Sequence, residues 1–350
     1  KLGQRANATA HLSFGEEDNC YGWMIGDENR GLAHMFQMMN GARIEVGMNG
    51  TAIASAAYEA SLQYAKERPQ GRSLSREGQK DISKGQTTII NHPDVRRMLF
   101  LQKAVAEGSL SLLMEAGRLL DTKITAEGEE QKDAHLLLEL LTPIAKTYPS
   151  EMGRVSVSTG LQVLGGYGFC LDFPLQQHYR DIRIMALYEG TTGIQSLDLL
   201  GRKATTKNGK ALMLLMGEVQ QAIQAATTYD DLKPYAKVLG KKMQEVQEVM
   251  AHLVQYAMKG DYDKFLADAT IFMEFASTIV IGWQWLKMAT KSKEALVTGN
   301  MTQSAEFYES KVHTMKFFFK YEMPKTASAK ATILNPEFLT ILETEKELIM

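Results

Sequence analysis

The chain has 350 residues, of which 45% are hydrophobic and 23% charged, and a formal net charge of −2 at pH 7. This length suffices for about two domains, and the nearly balanced charge excludes the strongly basic profile of nucleic-acid-binding proteins. Two cysteines, Cys20 and Cys170, are too few for a disulfide framework, and no signal-peptide pattern or apolar run of membrane-spanning length is evident. We therefore expect a soluble, cytoplasmic protein with no membrane span and no nucleic-acid partner.

The N-terminal part of the chain has a helical hydrophobic pattern from about residue 29 onwards. A first long helix is predicted to end at Arg68, because Pro69 and Gly71 follow it, and a second is predicted to begin at Pro93. The segment between these two helices is polar and is predicted to be a loop. Further helices are predicted over 127–147, 150–165, 174–185 and 191–205.

A polar break at 206–210 (TKNGK) is the candidate domain boundary. Beyond it an amphipathic stripe advances in steps of four and three residues, as in a helix packed on one face: Leu239, Met243, Val246, Met250 and Leu253. Further helices are predicted over 209–227, 263–291, 302–321 and 336–349. Long helical runs joined by short loops predict a mostly α protein built from helical bundles.

Glu189 lies on a Gly- and Thr-rich turn that directly precedes an apolar helical pattern, within ALYEGTTGIQSLDLLGRK at 186–203. Ile194, Leu197 and Leu200 recur at helical spacing and would hold that helix against a core. A carboxylate at a helix start lies near free backbone N–H groups on a fixed backbone, which suits a general base. The same placement also suits an acidic residue that only complements the helix dipole, and spacing alone favours this second interpretation.

The segment QVLGGYGF, residues 162–169, allows two interpretations. Gly165 and Gly166 have no side chains, so the backbone there could approach a flat or phosphorylated ligand, or the glycines could simply end a helix. The seven histidines are scattered, with no spacing typical of a metal site, and we predict no metal.

Several segments, in order, resemble the acyl-CoA dehydrogenase family over roughly residues 1–205. YEGTTGIQ resembles the family's catalytic segment, and QVLGGYGF resembles its flavin-contacting QxxGGxGF motif. The other matching segments are GQRANAT (3–9), GDENRGL (26–32), MMNGAR (38–43) and YAKERPQGR (64–72). The most similar branch is the long bacterial one with an extra C-terminal helical domain, which includes the 3-methylmercaptopropionyl-CoA dehydrogenases.

The resemblance implies a fold and a domain division. It implies the family's C-terminal four-helix bundle, with a remnant of the β-domain at the N-terminus and an additional C-terminal helical domain. The corresponding ranges are 1–27 for the truncated end of the middle β-domain, 28–208 for the bundle and 209–350 for the extra domain. The family carries roughly as much sequence again before this point, so we expect the chain to be a fragment of the enzyme.

The resemblance also implies a reaction, the FAD-dependent conversion of an acyl-CoA thioester to a trans-2-enoyl-CoA. Glu189 would remove the α-proton, and electron-transfer flavoprotein would accept the electrons from a homodimeric or homotetrameric enzyme. Two alternatives stay open: an acyl-CoA oxidase on a similar fold, and a non-catalytic helical module for dimerisation or scaffolding.

Residue by residue, the resemblance assigns the remaining roles. The cofactor-binding residues would be Arg68, Gln162, Gly165, Gly166, Thr191 and Gly193, the first four toward the adenosine-diphosphate half of FAD in a neighbouring subunit. The substrate-binding residues would be Asn40, Arg43, Tyr188 and Gly190. The chain departs from the family at three positions. A Phe that usually follows Arg68 is missing, and Pro93 and Gly193 each stand where the family often has a Gln.

Overall fold

The computed structural model describes residues 1–72, 74, 78–342 and 345–348, and helices dominate these residues. Three long helices, α1 (Gly31–Glu67), α2 (Pro93–Thr125) and α3 (Gly128–Leu164), pack along one another. Short segments complete this part of the chain: α4 (Leu175–Ile182), a 3-10 turn, α5 (Thr192–Asp198) and a π-helical turn. The prediction of a mostly α fold is therefore confirmed.

Helix α3 is longer than the sequence predicts, because it continues through Pro143 and Pro149. Proline lacks an N–H donor and normally interrupts a helix, so the sequence predicts a break before residue 150. Tertiary packing outweighs this cost. The Ala145 carbonyl, which Pro149 cannot bond, lies against Gly47 of α1, where a Cβ atom would collide with it. The absence of a side chain at Gly47 thus lets α1 and α3 approach closely along the prolines.

The C-terminal part of the chain consists of α6 (Thr206–Ala226), α7 (Lys233–Met258), α8 (Tyr262–Leu266), α9 (Ala269–Thr298), α10 (Ala305–Tyr321) and α11 (Thr326–Ile333). Within the range of α6, Lys207, Asn208 and Gly209 have φ values of 48°, 56° and 80°, which are left-handed rather than helical. This kink coincides with the polar break at 206–210. Whether it separates two domains stays a prediction.

Helix α9 is the core of the C-terminal part and docks on α2. Trp283 and Trp285 are completely buried, and the Trp285 indole N–H donates a hydrogen bond of 3.1 Å to the Ala104 carbonyl. The stretch Tyr262–Thr298 has the length and hydropathy of a membrane span, with 56% of its most apolar window buried inside the protein. The core helix of a soluble protein has the same composition, so this finding is weak support for a membrane helix.

Two expectations at the chain ends differ from the structure. Residues 1–30 contain no strand and are almost all exposed, so the expected remnant of a β-domain is not seen as sheet. A strand needs a neighbouring strand for its hydrogen bonds, and no described segment supplies one. The predicted helix over 336–349 is also wrong for 336–342, which are not helical, while 345–348 form one 3-10 turn and the rest lies outside the described residues. A short helix with side chains as exposed as Leu339, at 77%, has no packing to stabilise it.

Candidate active site

Glu189 lies on a tight turn between a 3-10 segment, Arg183–Ala186, and helix α5. Glu189 and Gly190 both have left-handed backbones, with φ values of 55° and 90°. This conformation costs a non-glycine residue about 1–2 kcal/mol. Gly190 is required for a second reason, because a Cβ atom there would lie 2.6 Å from the Gln195 amide nitrogen. The turn is a strained element that surrounding contacts must hold.

Two buried side chains bond the carbonyls of this turn. The Gln195 Nε2 atom donates a hydrogen bond of 2.9 Å to the Glu189 carbonyl, and the Lys146 Nζ atom donates one of 2.8 Å to the Gly190 carbonyl. Gln195 belongs to α5 and Lys146 to α3, and neither is exposed to solvent. Neighbouring elements thus restrain the two consecutive peptide groups that follow Glu189.

The sequence prediction for α5 is only partly correct. Leu200 is buried, but Ile194 and Leu197 are 52% and 41% exposed, so the prediction that these two hold α5 against a core is wrong. The buried face of α5 is polar instead, formed by Gln195, Ser196 and Asp198.

Thr191 is the N-cap of α5, and its side-chain oxygen accepts a hydrogen bond of 3.4 Å from the backbone N–H of Ile194. Thr192 donates a hydrogen bond of 2.6 Å from its hydroxyl to the Glu151 carboxylate of α3. Gly193 is exposed, with open space where a side chain would be. The first turn of α5 is therefore anchored to α3 while its outer face stays accessible.

The Glu189 carboxylate has one oxygen, Oε2, that is buried and has no hydrogen-bond partner among the described residues. The adjacent Tyr188 donates its hydroxyl hydrogen to the Met185 Sδ atom at 3.0 Å instead of to this carboxylate. Burial, and after it the negative charge of Glu189, raises the pKa of Tyr188. The carboxylate is thus held in a partly enclosed position with a free acceptor atom.

Lys146 adds an unusual charge behind the turn. Burial lowers the pKa of Lys146 to about 8, with Arg43 acting in the same direction and Glu151 and Glu189 in the opposite one. No carboxylate among the described residues forms a salt bridge with Lys146. The sequence analysis overlooks Lys146, since an isolated lysine within α3 has no motif to mark it.

Asn40 and Arg43 lie on one face of α1, as their spacing predicts, and both are engaged with protein groups. Arg43 is 4% exposed and forms an ion pair of 3.0 Å with Asp198 at the end of α5. The Asn40 amide donates a hydrogen bond of 2.8 Å to Glu139 of α3. These contacts tie α1 to α3 and α5, and a role for Asn40 and Arg43 in binding substrate stays a prediction.

A second candidate site is a groove of about 520 Å³ at the C-terminal ends of α1 and α3, which we call the Arg68 groove. Its lining includes Arg68, Gly165, Gly166, Tyr64, Tyr167 and His92. The Arg68 guanidinium lies 5.3 Å from the centre of the Tyr167 ring and, within the described part of the chain, has no carboxylate partner. Gly165 has a φ of 60° and open space where a side chain would be.

The structure therefore groups some predicted site residues and separates others. Arg68, Gly165 and Gly166 share the groove, while Gln162 is exposed one helical turn earlier, where its carbonyl accepts the Gly165 N–H. Thr191 and Gly193 do not line the groove. Within the described ranges, no group of three or more His, Cys, Asp or Glu side chains is arranged to hold a metal ion.

Two family models match the chain on either side of the kink. The model described as "Acyl-CoA dehydrogenase, C-terminal domain" matches residues 29–204. The chain belongs to the acyl-CoA dehydrogenase family. A second model of this family, "Acetyl-CoA dehydrogenase C-terminal like", matches residues 215–340. The resemblance in the YEGTTGIQ and QVLGGYGF segments is thereby confirmed at the level of the family.

Curated relatives support this membership along nearly the whole chain. The "Broad-specificity linear acyl-CoA dehydrogenase FadE5" of Mycobacterium tuberculosis is 34% identical over 341 residues, which cover 95% of this chain and 56% of that protein. The 3-methylmercaptopropionyl-CoA dehydrogenase of Ruegeria pomeroyi is 34% identical over 342 residues, which cover 96% of this chain and 55% of that protein. The chain thus spans about half the length of the curated relatives it matches.

Solved structures of this acyl-CoA dehydrogenase family show the same fold. The Caenorhabditis elegans ACDH-11 structure, in complex with C11-CoA, has a TM-score of 0.68 and 21% identity, covering 89% of this chain and 49% of that chain. A Bacillus anthracis acyl-CoA dehydrogenase complexed with FAD has a TM-score of 0.67 and 22% identity, and the match covers 88% of this chain and 50% of that chain. At these identities the likeness concerns the fold alone.

Proposed function

We propose that this chain is part of an FAD-dependent acyl-CoA dehydrogenase in which Glu189 is the base that removes the α-proton of an acyl-CoA thioester. The Glu189 carboxylate would take this proton, and a hydride would leave the β-carbon, so that a trans-2-enoyl-CoA forms. The observation that carries the proposal is the buried Glu189 Oε2 atom, which has no hydrogen-bond partner among the described residues. Donors bonded to that oxygen would compete with the incoming proton, so a donor-free oxygen suits a general base.

The Arg68 groove fits the phosphate-bearing half of FAD. The Arg68 guanidinium can form charge-assisted hydrogen bonds with a diphosphate, and Gly165 and Gly166 leave room for its oxygens to approach the backbone. When bound, FAD supplies the acceptor for the hydride that leaves the β-carbon. Thr191 and Gly193, on the accessible face of α5 next to Glu189, are the proposed contacts on the side of the reacting atoms.

The remaining parts of the proposal follow from family membership. The substrate would be an acyl-CoA, contacted by Tyr188 and Gly190 beside the base, with Asn40 and Arg43 toward the CoA moiety. Electron-transfer flavoprotein would be the electron acceptor, and the assembly a homodimer or homotetramer. A cytoplasmic location suits the two free cysteines, Cys20 and Cys170. Four curated dehydrogenases that are 31–34% identical to this chain come from bacteria.

The decisive experiment replaces Glu189 by glutamine in the natural protein and measures exchange of the α-proton of an acyl-CoA in D₂O. Glu189→Gln keeps the size of the side chain, so we expect it to retain flavin absorbance while exchange disappears. Glu129→Gln, at an exposed carboxylate in the first turn of α3, is the matched control and should leave exchange unchanged. Exchange at the wild-type rate in Glu189→Gln would refute the role of this residue.

Two further measurements separate the alternatives. Consumption of dioxygen during turnover, instead of reduction of electron-transfer flavoprotein, would identify an oxidase. A colourless 350-residue protein that stays free of flavin in excess FAD would favour a non-catalytic helical module for this chain.

A further inference from the structure

We infer that Lys146 and Gln195 are positioning residues that fix the direction of the Glu189 carboxylate by bonding two consecutive carbonyls of its turn. This inference rests on the proposed role of Glu189 as the base. Neither residue touches the reacting atoms, so they would act through the backbone of Glu189 and Gly190. We call this pair of side chains the carbonyl clamp.

The Gln195 half of the clamp acts on the base residue itself. Its Nε2 atom donates to the Glu189 carbonyl at 2.9 Å, and its side chain is completely buried. Its Oε1 atom has no partner among the described residues. The amide packs so closely on the turn that a Cβ atom at Gly190 would lie 2.6 Å from it. Because the buried Gln195 amide donates its hydrogen bond to this carbonyl, it fixes the position of the turn relative to α5.

The Lys146 half of the clamp supports the inference more strongly than the Gln195 half, because burying a lysine is costly unless its charge is compensated. Lys146 is completely buried, and its Nζ atom bonds the Gly190 carbonyl at 2.8 Å, while no described carboxylate pairs with it. The charged groups that act on it are Glu151 of its own helix, Arg43 of α1 and Glu189 of the turn. A lysine kept solely for packing would be replaced by an apolar residue at lower cost, so the bond to the turn accounts for its presence.

The conformation of Glu189 explains why a clamp is needed. With a φ of 55°, Glu189 is in a region that a non-glycine residue leaves readily if nothing restrains it. Rotation of that backbone would swing the carboxylate away from a substrate carbon. A displacement of about 1 Å at a reacting group can reduce the rate on the order of 100-fold. The clamp would therefore affect the rate of proton removal more than the binding of substrate.

The test uses Gln195→Met and Lys146→Met in the natural protein, since methionine has a similar length and no donor. Ser196→Ala and Thr142→Val are matched controls: each removes a buried hydroxyl that bonds only a carbonyl of its own helix, Ser196 beside Gln195 and Thr142 one helical turn before Lys146. We expect both clamp variants to lower α-proton exchange and kcat per bound flavin by at least about 10-fold, with KM within about three-fold of wild type. Lys146→Gln, which keeps an N–H donor, should recover part of the loss.

The outcomes distinguish the inference from the proposed function. Loss of exchange in Glu189→Gln together with full exchange per flavin in both clamp variants overturns the clamp alone. Lower flavin occupancy or melting temperature with unchanged exchange per flavin would assign the two residues a merely structural role, and also overturns it. Persistent exchange in Glu189→Gln overturns the proposed function. If Lys146→Met does not fold, Gln195→Met decides, because its bond is to Glu189 itself.

Discussion

The Arg43 guanidinium of α1 and the Asp198 carboxylate at the end of α5 form an ion pair of 3.0 Å, and only 5% of each side chain is exposed. Helix α5 begins directly after the turn that carries Glu189, so this pair anchors the far end of the same short helix. Asp198 also pairs with Arg202 at 2.9 Å. The short helix behind the candidate base is thus held at its start by the carbonyl clamp and at its end by buried charges.

We predict that Arg43→Met lowers the free energy of unfolding by about 3 kcal/mol, because it leaves the buried Asp198 carboxylate without its principal partner. Urea unfolding of the variant measures this change. Arg97→Met is the control, since Arg97 pairs with Asp94 on an exposed surface, where the loss should stay below about 1 kcal/mol. The double variant Arg43→Met with Asp198→Leu should recover part of the loss. Equal effects of the two single substitutions would contradict the buried-pair interpretation.

We predict opposite effects for two Gly→Ala substitutions in α2. At Gly108 a Cβ atom would lie 2.8 Å from the Trp285 Nε1 atom and 2.9 Å from Ile281, so Gly108→Ala should force α9 away and destabilise the protein by about 1 kcal/mol or more. At Gly117 there is open space, so Gly117→Ala should stabilise the protein by up to about 1 kcal/mol through helix propensity. Thermal melting of both variants tests whether α9 docks on α2 as observed.

We predict that Arg68→Ala weakens FAD binding roughly 10- to 100-fold, the loss expected for a charge-assisted hydrogen bond of about 1.5–3 kcal/mol. Flavin titration of the assembled protein, repeated at two salt concentrations, measures it. The FAD affinity of the variant should also depend less on salt concentration than that of the wild type, because one charged contact to phosphate is missing. Arg97→Ala removes an exposed arginine outside the Arg68 groove and serves as the control. Unchanged affinity in Arg68→Ala would remove this groove from the cofactor site.

We predict that the stability of the wild type relative to Lys146→Met rises with pH between about 8 and 10.5. Folded Lys146 loses its proton near pH 8, whereas the unfolded side chain keeps it up to its ordinary pKa of 10.5. In this window the unfolded state binds more protons, so raising the pH favours the folded state, by no more than about 3 kcal/mol. Below pH 8 the difference in free energy of unfolding between the wild type and Lys146→Met should be constant. Urea unfolding at pH 7, 9 and 10 tests it, and a pH-independent difference would show that Lys146 is not held in its buried environment.

Local sequence patterns are sufficient to identify the family and the candidate base. Hydrophobic periodicity predicts the long helices, and the YEGTTGIQ and QVLGGYGF segments identify the family, because they are local patterns that survive without knowledge of packing. The polar break at 206–210 likewise coincides with the left-handed residues 207–209. Local chemistry suffices for such features, since the residues involved are neighbours in the chain.

Which side chains contact one another depends on the packing of segments that are distant in the chain. Lys146 lies 44 residues before Gly190 and Arg43 lies 155 residues before Asp198, so no local pattern could reveal either contact. The same applies to the continuity of α3 through Pro143 and Pro149, where packing of α1 at Gly47 outweighs the local cost of proline. The sequence predicts which elements form and where the base lies, but the energy that holds a strained turn or a buried charge comes from contacts between distant segments.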